Sequence, residues 1–258
     1  MPRDGVPAAA RAGLLIPGWP AAHGVAAAMS TRDGGVSVAP WAALNLGAAV
    51  GDDALAVAEN RRRFEAALGV PAVYLRQVHG ARVVRLTVAD LQRNDAIEAD
   101  AAITTEAGLA CTVQVADCLP VLLAAPDGRA VGAAHVGWRG LAAGVLQASV
   151  GALCTAAACQ PLEVVAWLGP CIGPRPFEVG ADVVTALGAG PRFVARPRAD
   201  GAMRWLADLA GLARERLQAA GLDQISDAAA CTVEAPSRFF SFRRDGVTGR
   251  MAAAVWRR

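Results

Sequence analysis

Between Ala101 and Val136 four short apolar segments follow one another with only turns between them: Ala101 to Thr105, Ala110 to Val115, Pro120 to Ala125 and Val131 to Val136. Pro126-Asp127-Gly128 is the clearest of those turns. A doubly wound sheet needs a helix between successive strands, and none fits here. Strands arriving in runs, with helices elsewhere, predict an α+β layered architecture. Around this block, Asp52 or Asp53 can cap a helix that runs to about Leu68, with Val57, Phe64 and Leu68 on one face and Gly69-Val70-Pro71 as its stop. Val73 to Val78 and Arg82 to Val88 read as a strand pair around Gly80. Leu141 to Cys154 reads as a buried helix, Val164 to Leu168 as a strand, and Met203 to Ala220 as a helix closed by Gly221. Ala228 to Val233 and Met251 to Trp256 read as strands. From Thr31 through Asn45-Leu46-Gly47 there is no periodicity, which predicts a long loop carrying polar groups. No repeat or linker divides the 258 residues, so one domain over 1–258 is expected, with a loose start of ~12 residues.

All 25 basic residues are arginine. Without lysine the chain can build neither a Schiff-base enzyme nor a Walker-type phosphate loop. Its three histidines, His23, His79 and His135, are too few for a multicopper oxidase and leave room for one small metal site. The net charge of +2 is scattered, giving no footprint for nucleic acid. Six cysteines form no C-x-x-C pair, which fits reduced thiols in a cytoplasmic protein. The run Gly13-Leu14-Leu15-Ile16 is cut by Pro17 and makes no signal peptide, and no apolar stretch is long enough to span a bilayer. A soluble protein without membrane partners is therefore expected.

Three constellations could carry chemistry. His79, Cys118 and His135 each stand at an expected strand end, and a thiolate with two imidazoles is a three-donor set for Zn²⁺ that leaves a fourth position open. The same residues also make a metal-free Cys-His nucleophile pair with Asp117 to orient the base, or two hydrogen-bonded histidines and a packed thiol. Gly169-Pro170-Cys171-Ile172-Gly173 mimics a nucleophile elbow, but Pro174 and Pro176 follow where a helix is required, so a tight turn is expected. The remaining cysteines, Cys111, Cys154, Cys159 and Cys231, sit in apolar contexts and read as packing residues. Finally, Arg32, Asn45, Arg62, Gln77, Arg139, Arg243 and Arg244 are polar groups in or near loops, and two or three arginines converging on the metal would define an anionic subsite.

In order along the chain, Thr31-Arg32-x-Gly34-Gly35, Asn45-Leu46-Gly47, Glu59-Asn60-Arg61, Gln77-Val78-His79-Gly80, Ala116-Asp117-Cys118-Leu119-Pro120, His135-x-Gly137-Trp138-Arg139-Gly140 and Phe240-Ser241-x-Arg243-Arg244 resemble the motifs of the YfiH/PgeF family. That family is also called the laccase-domain or polyphenol oxidase family. The resemblance implies an α+β domain with central mixed β-sheets flanked by helices, similar to the catalytic domain of cytotoxic necrotizing factor. It assigns His79, Cys118 and His135 to zinc, or alternatively copper. It implies a purine nucleoside phosphorylase acting on adenosine, inosine, guanosine and methylthioadenosine with inorganic phosphate, and an adenosine deaminase as well.

On these residues, Cys118, Asp117 and His79 are the expected catalytic groups, with Asp117 or an imidazole shuttling the proton lost by a metal-activated water that attacks C6 in deamination. Arg62 and Arg139 are the expected phosphate contacts, and Asn45 and Gln77 the expected base or ribose contacts. Two further readings stand beside this one: a copper-dependent polyphenol oxidase, and a cysteine hydrolase that edits peptidoglycan precursors. The sequence does not give the oligomeric state.

Overall fold

Strands buried on both faces are apolar throughout, without in-out alternation, and that is the character of the block from Ala101 to Val136. In the computed structural model, which describes residues 13–258, it forms four successive strands. The expected loose start lies outside the described residues. In chain order the elements begin with β1 (Leu14–Leu15), β2 (Val25–Ser30), α1 (Ala54–Leu68), β3 (Ala72–Tyr74) and β4 (Val83–Arg85). The middle comprises β5 (Ala101–Thr104), β6 (Ala110–Val115), β7 (Leu119–Ala124), β8 (Val131–Val136), α2 (Trp138–Ala142), α3 (Val145–Ala157) and β9 (Val165–Leu168). The last part holds β10 (Glu178–Val179), α4 (Ala181–Leu187), β11 (Phe193–Pro197), β12 (Met203–Ala207), α5 (Leu209–Ala219), β13 (Gln224–Asp227), α6 (Phe242–Asp245) and β14 (Met251–Arg257).

The strands make a six-stranded sheet in the order β13-β9-β7-β8-β5-β4, a five-stranded sheet β1-β2-β14-β6-β3, and a small sheet β10-β12-β11. Both large sheets are mixed: β13 with β9, β4 with β5 and β3 with β6 are parallel, and the other pairs are antiparallel. This is the expected mixed α+β fold. The layers follow from which face each side chain takes. Met29, Val113, Val255, Leu122, Ala133 and Trp167 fill the space between the two large sheets. The outer face of the six-stranded sheet, through Ile103, Val121, Leu123 and Val136, packs on Leu146, Val150 and Leu153 of α3 and Leu212 of α5. The outer face of the other sheet, through Ala28, Ala252, Ala254 and Trp256, packs on Phe64 and Leu68 of α1. Full burial of a side chain such as Phe64 contributes about 1.5–3 kcal/mol. Asp53 caps α1, accepting from Ala56 N, and Gly69 ends it in the left-handed conformation.

Four expectations are corrected. The segments around Gly80 do not pair with each other: β3 joins one large sheet and β4 the other, so the chain crosses between layers there. The helix from Leu141 to Cys154 is two helices broken at Gly144, whose φ is +87°. Met203–Ala207 is a strand, and the helix begins only after the Asp208 cap. The strand expected at Ala228 to Val233 lies at Gln224–Asp227 instead, and only Cys231 of the expected segment bridges, to Cys171. No helix among the described residues is long and apolar enough to cross a membrane.

Candidate metal centre and its cavity

The site forms where the chain crosses between the two large sheets. His79 lies in the β3–β4 crossing, Cys118 in the turn from β6 to β7, and His135 near the end of β8. Their donor atoms all lie within 4.8 Å of one another, with Cys118 Sγ 3.8 Å from His79 Nε2. The two imidazole rings meet edge to face, 4.8 Å between centroids. Gly137 makes this approach possible, because a Cβ there would lie 3.0 Å from the His79 ring and 3.1 Å from Cys118 Sγ. Two imidazoles and a thiol, converging with no room for a methyl group between them, fit a borderline-soft metal ion such as zinc.

Asp100, fully buried, holds the His135 imidazole and the backbone that carries His79 in place. Its Oδ1 accepts from His79 N at 2.9 Å and from His135 Nδ1 at 2.8 Å, and its Oδ2 accepts from Gly80 N at 2.7 Å and Val78 N at 3.1 Å. With Nδ1 engaged, His135 presents Nε2 to the site, the usual carboxylate-histidine support of a metal ligand. These bonds also hold His79 at a φ of +61°, a conformation uncommon outside glycine. Burial works against the Asp100 anion, but His135 and the Gly80 N–H outweigh it and lower its pKa. Burial likewise opposes a thiolate at Cys118, yet the two imidazoles bring that thiol down to about 6. His135, disfavoured as a cation by burial, is raised to about 9 by Cys118 and Asp100. The cluster is therefore built to carry a thiolate at neutral pH.

Asp117 takes a different part. At a φ of +90° and buried, it accepts from Thr232 Oγ1 at 2.6 Å, Arg243 N at 2.6 Å and Ser241 Oγ at 3.0 Å. It ties the turn that carries Cys118 to the C-terminal loops.

A cavity of about 830 Å³ opens over the cluster. Besides the three donors, its wall includes Arg61, Tyr74, Gln77, Asp117, Trp138, Arg139, Phe177, Phe242, Arg243 and Arg250. Gln77 and Arg139 both stand on this wall. Both ends of the Gln77 amide are engaged with the Gln114 backbone, whereas the Arg139 guanidinium lies over the Trp138 ring at 4.3 Å and makes no hydrogen bond or ion pair among the described residues. Two expected substrate contacts are corrected. Asn45 is wholly buried behind the wall, donating to Asp52 Oδ2 and accepting from Gly47 N and Arg250 N. Arg62 points to solvent from α1 and pairs with Glu59 at 2.7 Å. Its neighbour Arg61 lines the cavity instead. Arg32 and Arg244 hold loop carbonyls, of Ala42 and Pro236 and of Thr232, Val233 and Phe239 respectively, and Arg243 at the rim donates to Pro176 O and Glu178 O. Cys171 is buried in a turn with no helix after it, as expected of a packing residue, and His23 is exposed.

Sequence reasoning missed Asp100, Arg61 and Arg250. A signal existed for Asp100: it is a lone acid inside the apolar run Ala99-Asp100-Ala101-Ala102-Ile103, where a charge needs buried partners.

Over residues 26–258 the chain matches the family described as multi-copper polyphenol oxidoreductase laccase. It is 45% identical over 245 residues to purine nucleoside phosphorylase YfiH of Escherichia coli (strain K12), covering 94% of this chain and 98% of that one. The chain belongs to the YfiH, or laccase-domain, family. A purine nucleoside phosphorylase of Pseudomonas aeruginosa is 46% identical, with 94% and 97% covered. Among solved YfiH-family structures, a Neisseria meningitidis protein superposes with a TM-score of 0.87 at 41% identity, covering 95% of this chain and 99% of that chain. YlmD from Geobacillus stearothermophilus gives 0.89 at 36% identity, with 99% of both chains covered.

Proposed function

We propose that the chain is a metal-dependent purine nucleoside phosphorylase, converting adenosine, inosine, guanosine or methylthioadenosine and inorganic phosphate to free base and pentose 1-phosphate, and that it also deaminates adenosine. The observation that carries this reading is one cavity joining the His79-Cys118-His135 donors to arginines and to exposed aromatic faces. The relatives named purine nucleoside phosphorylase support the reaction class. Zinc suits the donors best, with copper second. When bound, the ion supplies a Lewis acid that polarises an oxygen of substrate or water.

The chain's own residues do the rest. Phe242, 57% exposed on the cavity wall, offers a face on which a purine can stack. Arg139 offers a guanidinium that no carboxylate among the described residues pairs with. In phosphorolysis a phosphate oxygen bonds to C1′ as the C1′–N9 bond breaks, and the electron pair returns to the purine, which takes up a proton. In deamination water adds at C6 and ammonia leaves. Cys118 and the two imidazoles would hold the ion, Asp100 fixes the His135 ring and the backbone of His79, and Asp117 positions the Cys118 turn. The same reading places a single domain in the cytoplasm.

Cys118 beside two imidazoles is also the arrangement of a cysteine hydrolase, so the test must separate the two. The purified protein is incubated with adenosine, with and without phosphate, and the products are resolved by chromatography. Adenine and ribose 1-phosphate formed only with phosphate, and lost on chelation, support the phosphorylase; inosine reports deamination. A hydrolase acting on precursor peptides would survive chelation and stop on alkylation of Cys118, and a phenol oxidase would require copper and oxygen. No turnover of any nucleoside overturns the proposal.

A further inference from the structure

Among the described residues, several guanidiniums are neutralised by carboxylates: Arg62 and Arg63 by Glu59, Arg76 by Glu98, Arg129 by Asp127, Arg175 by Glu234, and Arg192 by Asp208 and Glu215. Arg61 and Arg250 differ. Both line the cavity, both are half-buried, and neither makes an ion pair among the described residues. Arg61 donates from Nε to Leu46 O at 3.0 Å and lies 3.9 Å over the Tyr74 ring. Arg250 donates from Nη1 to the Thr248 and Gly249 carbonyls. Burial lowers the pKa of both and outweighs the pull of Tyr74 and Glu65 on Arg61 and of Cys118 and Asp117 on Arg250, so each is a cation short of water and without a carboxylate in direct contact among the described residues. Glu65, whose charge acts on Arg61, is itself raised by burial. A desolvated cation left unpaired is costly, and a ligand anion removes that cost.

The two arginines are held by the same short bracket. Leu46 O accepts from Arg61, and Leu46 N donates to Arg250 O at 3.0 Å. Asn45 Oδ1 accepts from both Gly47 N and Arg250 N. At Gly47 an added Cβ would come within 2.6 Å of Arg250 Cγ, so only glycine lets that stem lie where it does. Asn45-Leu46-Gly47 therefore works as a jig for two guanidiniums, which explains a wholly buried asparagine beneath a substrate cavity.

The geometry points to Arg61 and Arg250, set by the Asn45–Gly47 bracket, as the cradle for the inorganic phosphate dianion. Two forked cations match two negative charges and can each give parallel hydrogen bonds to the phosphate oxygens. The assignment rests on the phosphorylase reading for its catalytic meaning, and on the cavity alone for binding. It moves the phosphate contact from the exposed Arg62 to the adjacent Arg61.

Two measurements test it on the holoenzyme, with inorganic phosphate as the probe. The first is the rise in Tm with phosphate in the absence of nucleoside. The second is the KM for phosphate against the KM for adenosine. In R61Q and R250Q the phosphate-dependent rise in Tm is expected to vanish, and the phosphate KM to increase about tenfold or more, with the adenosine KM changed much less. R62Q is expected to behave as wild type. G47A, which removes no charge, is expected to weaken phosphate by displacing Arg250, and covers the case in which an arginine variant fails to fold. Phosphate stabilisation retained in both R61Q and R250Q, or absent from wild type, overturns the cradle. If wild type binds phosphate through these arginines yet cleaves no nucleoside, the cradle stands and the phosphorylase reading falls. If R61Q and R250Q cleave adenosine with an unchanged phosphate KM, the reading stands and the cradle falls.

Discussion

Asp100 and Asp117 are both buried and both saturated with donors, Asp100 just before β5 and Asp117 where the chain crosses from β6 to β7, yet they anchor different things. Asp100 gathers three successive backbone N–H groups of Val78 to Gly80 and the His135 ring, so it joins two metal donors to each other. Asp117 gathers Thr232, Ser241 and the Arg243 N–H, all from the C-terminal loops, so it joins the third donor to the cavity rim. One carboxylate shapes the donor set and the other shapes the space around the substrate. Metal affinity and substrate affinity should therefore come apart on mutation.

The largest effect is expected at Asp100. Asp100→Ala leaves a buried imidazole and three N–H groups without a partner, and should cost about 3–5 kcal/mol in chemical denaturation. The milder Asp100→Asn should keep the fold and weaken metal binding about 10–100-fold, read by competition with a chelator. Asp117→Asn should cost about 1–3 kcal/mol. It should retain its metal while the KM for nucleoside rises, because Arg243 and α6 lose their tie to the Cys118 turn. Equal metal loss in the two asparagine variants would erase the distinction.

Smaller changes sharpen it. Gly137→Ala places a methyl group 3.0–3.1 Å from the His79 ring and Cys118 Sγ, and should lower metal affinity with little change in global stability. In metal-free protein the Cys118 thiol, held down to about 6, is a thiolate above that pH and a thiol below it. Its alkylation rate should climb through a midpoint near pH 6, where an ordinary cysteine climbs near ~8.5. A midpoint near 8.5 would mean that the imidazoles do not act on it.

Much of this was legible beforehand, for reasons that differ by residue. Strands β5 to β8 and β14 announce themselves by apolar runs between turns, and α1 by Asp53 and Gly69. Val25–Ser30 escaped because three alanines carry no strand preference; pairing with β14 and burial on both faces decide it. Met203–Ala207 was absorbed into the helix that follows because nothing local marks the break except Asp208, and pairing with β10 and β11 makes it a strand. Neighbouring strands β3 and β4 misled because the fold sends them to different sheets. The clustering of His79, Cys118 and His135 was legible from residue type and position at strand ends. Choosing Arg61 over Arg62 required knowing which side of α1 faces the cavity, and the apolar pattern at Val57, Phe64 and Leu68 marks only the face that enters the core.

The most direct test of the account measures metal content and phosphate-dependent release of adenine from adenosine on the same preparations of wild type and Cys118→Ala. The account predicts one ion per chain and phosphorolysis in wild type, and the loss of both in the variant. A variant that loses its metal yet still cleaves adenosine at the wild-type rate would contradict it.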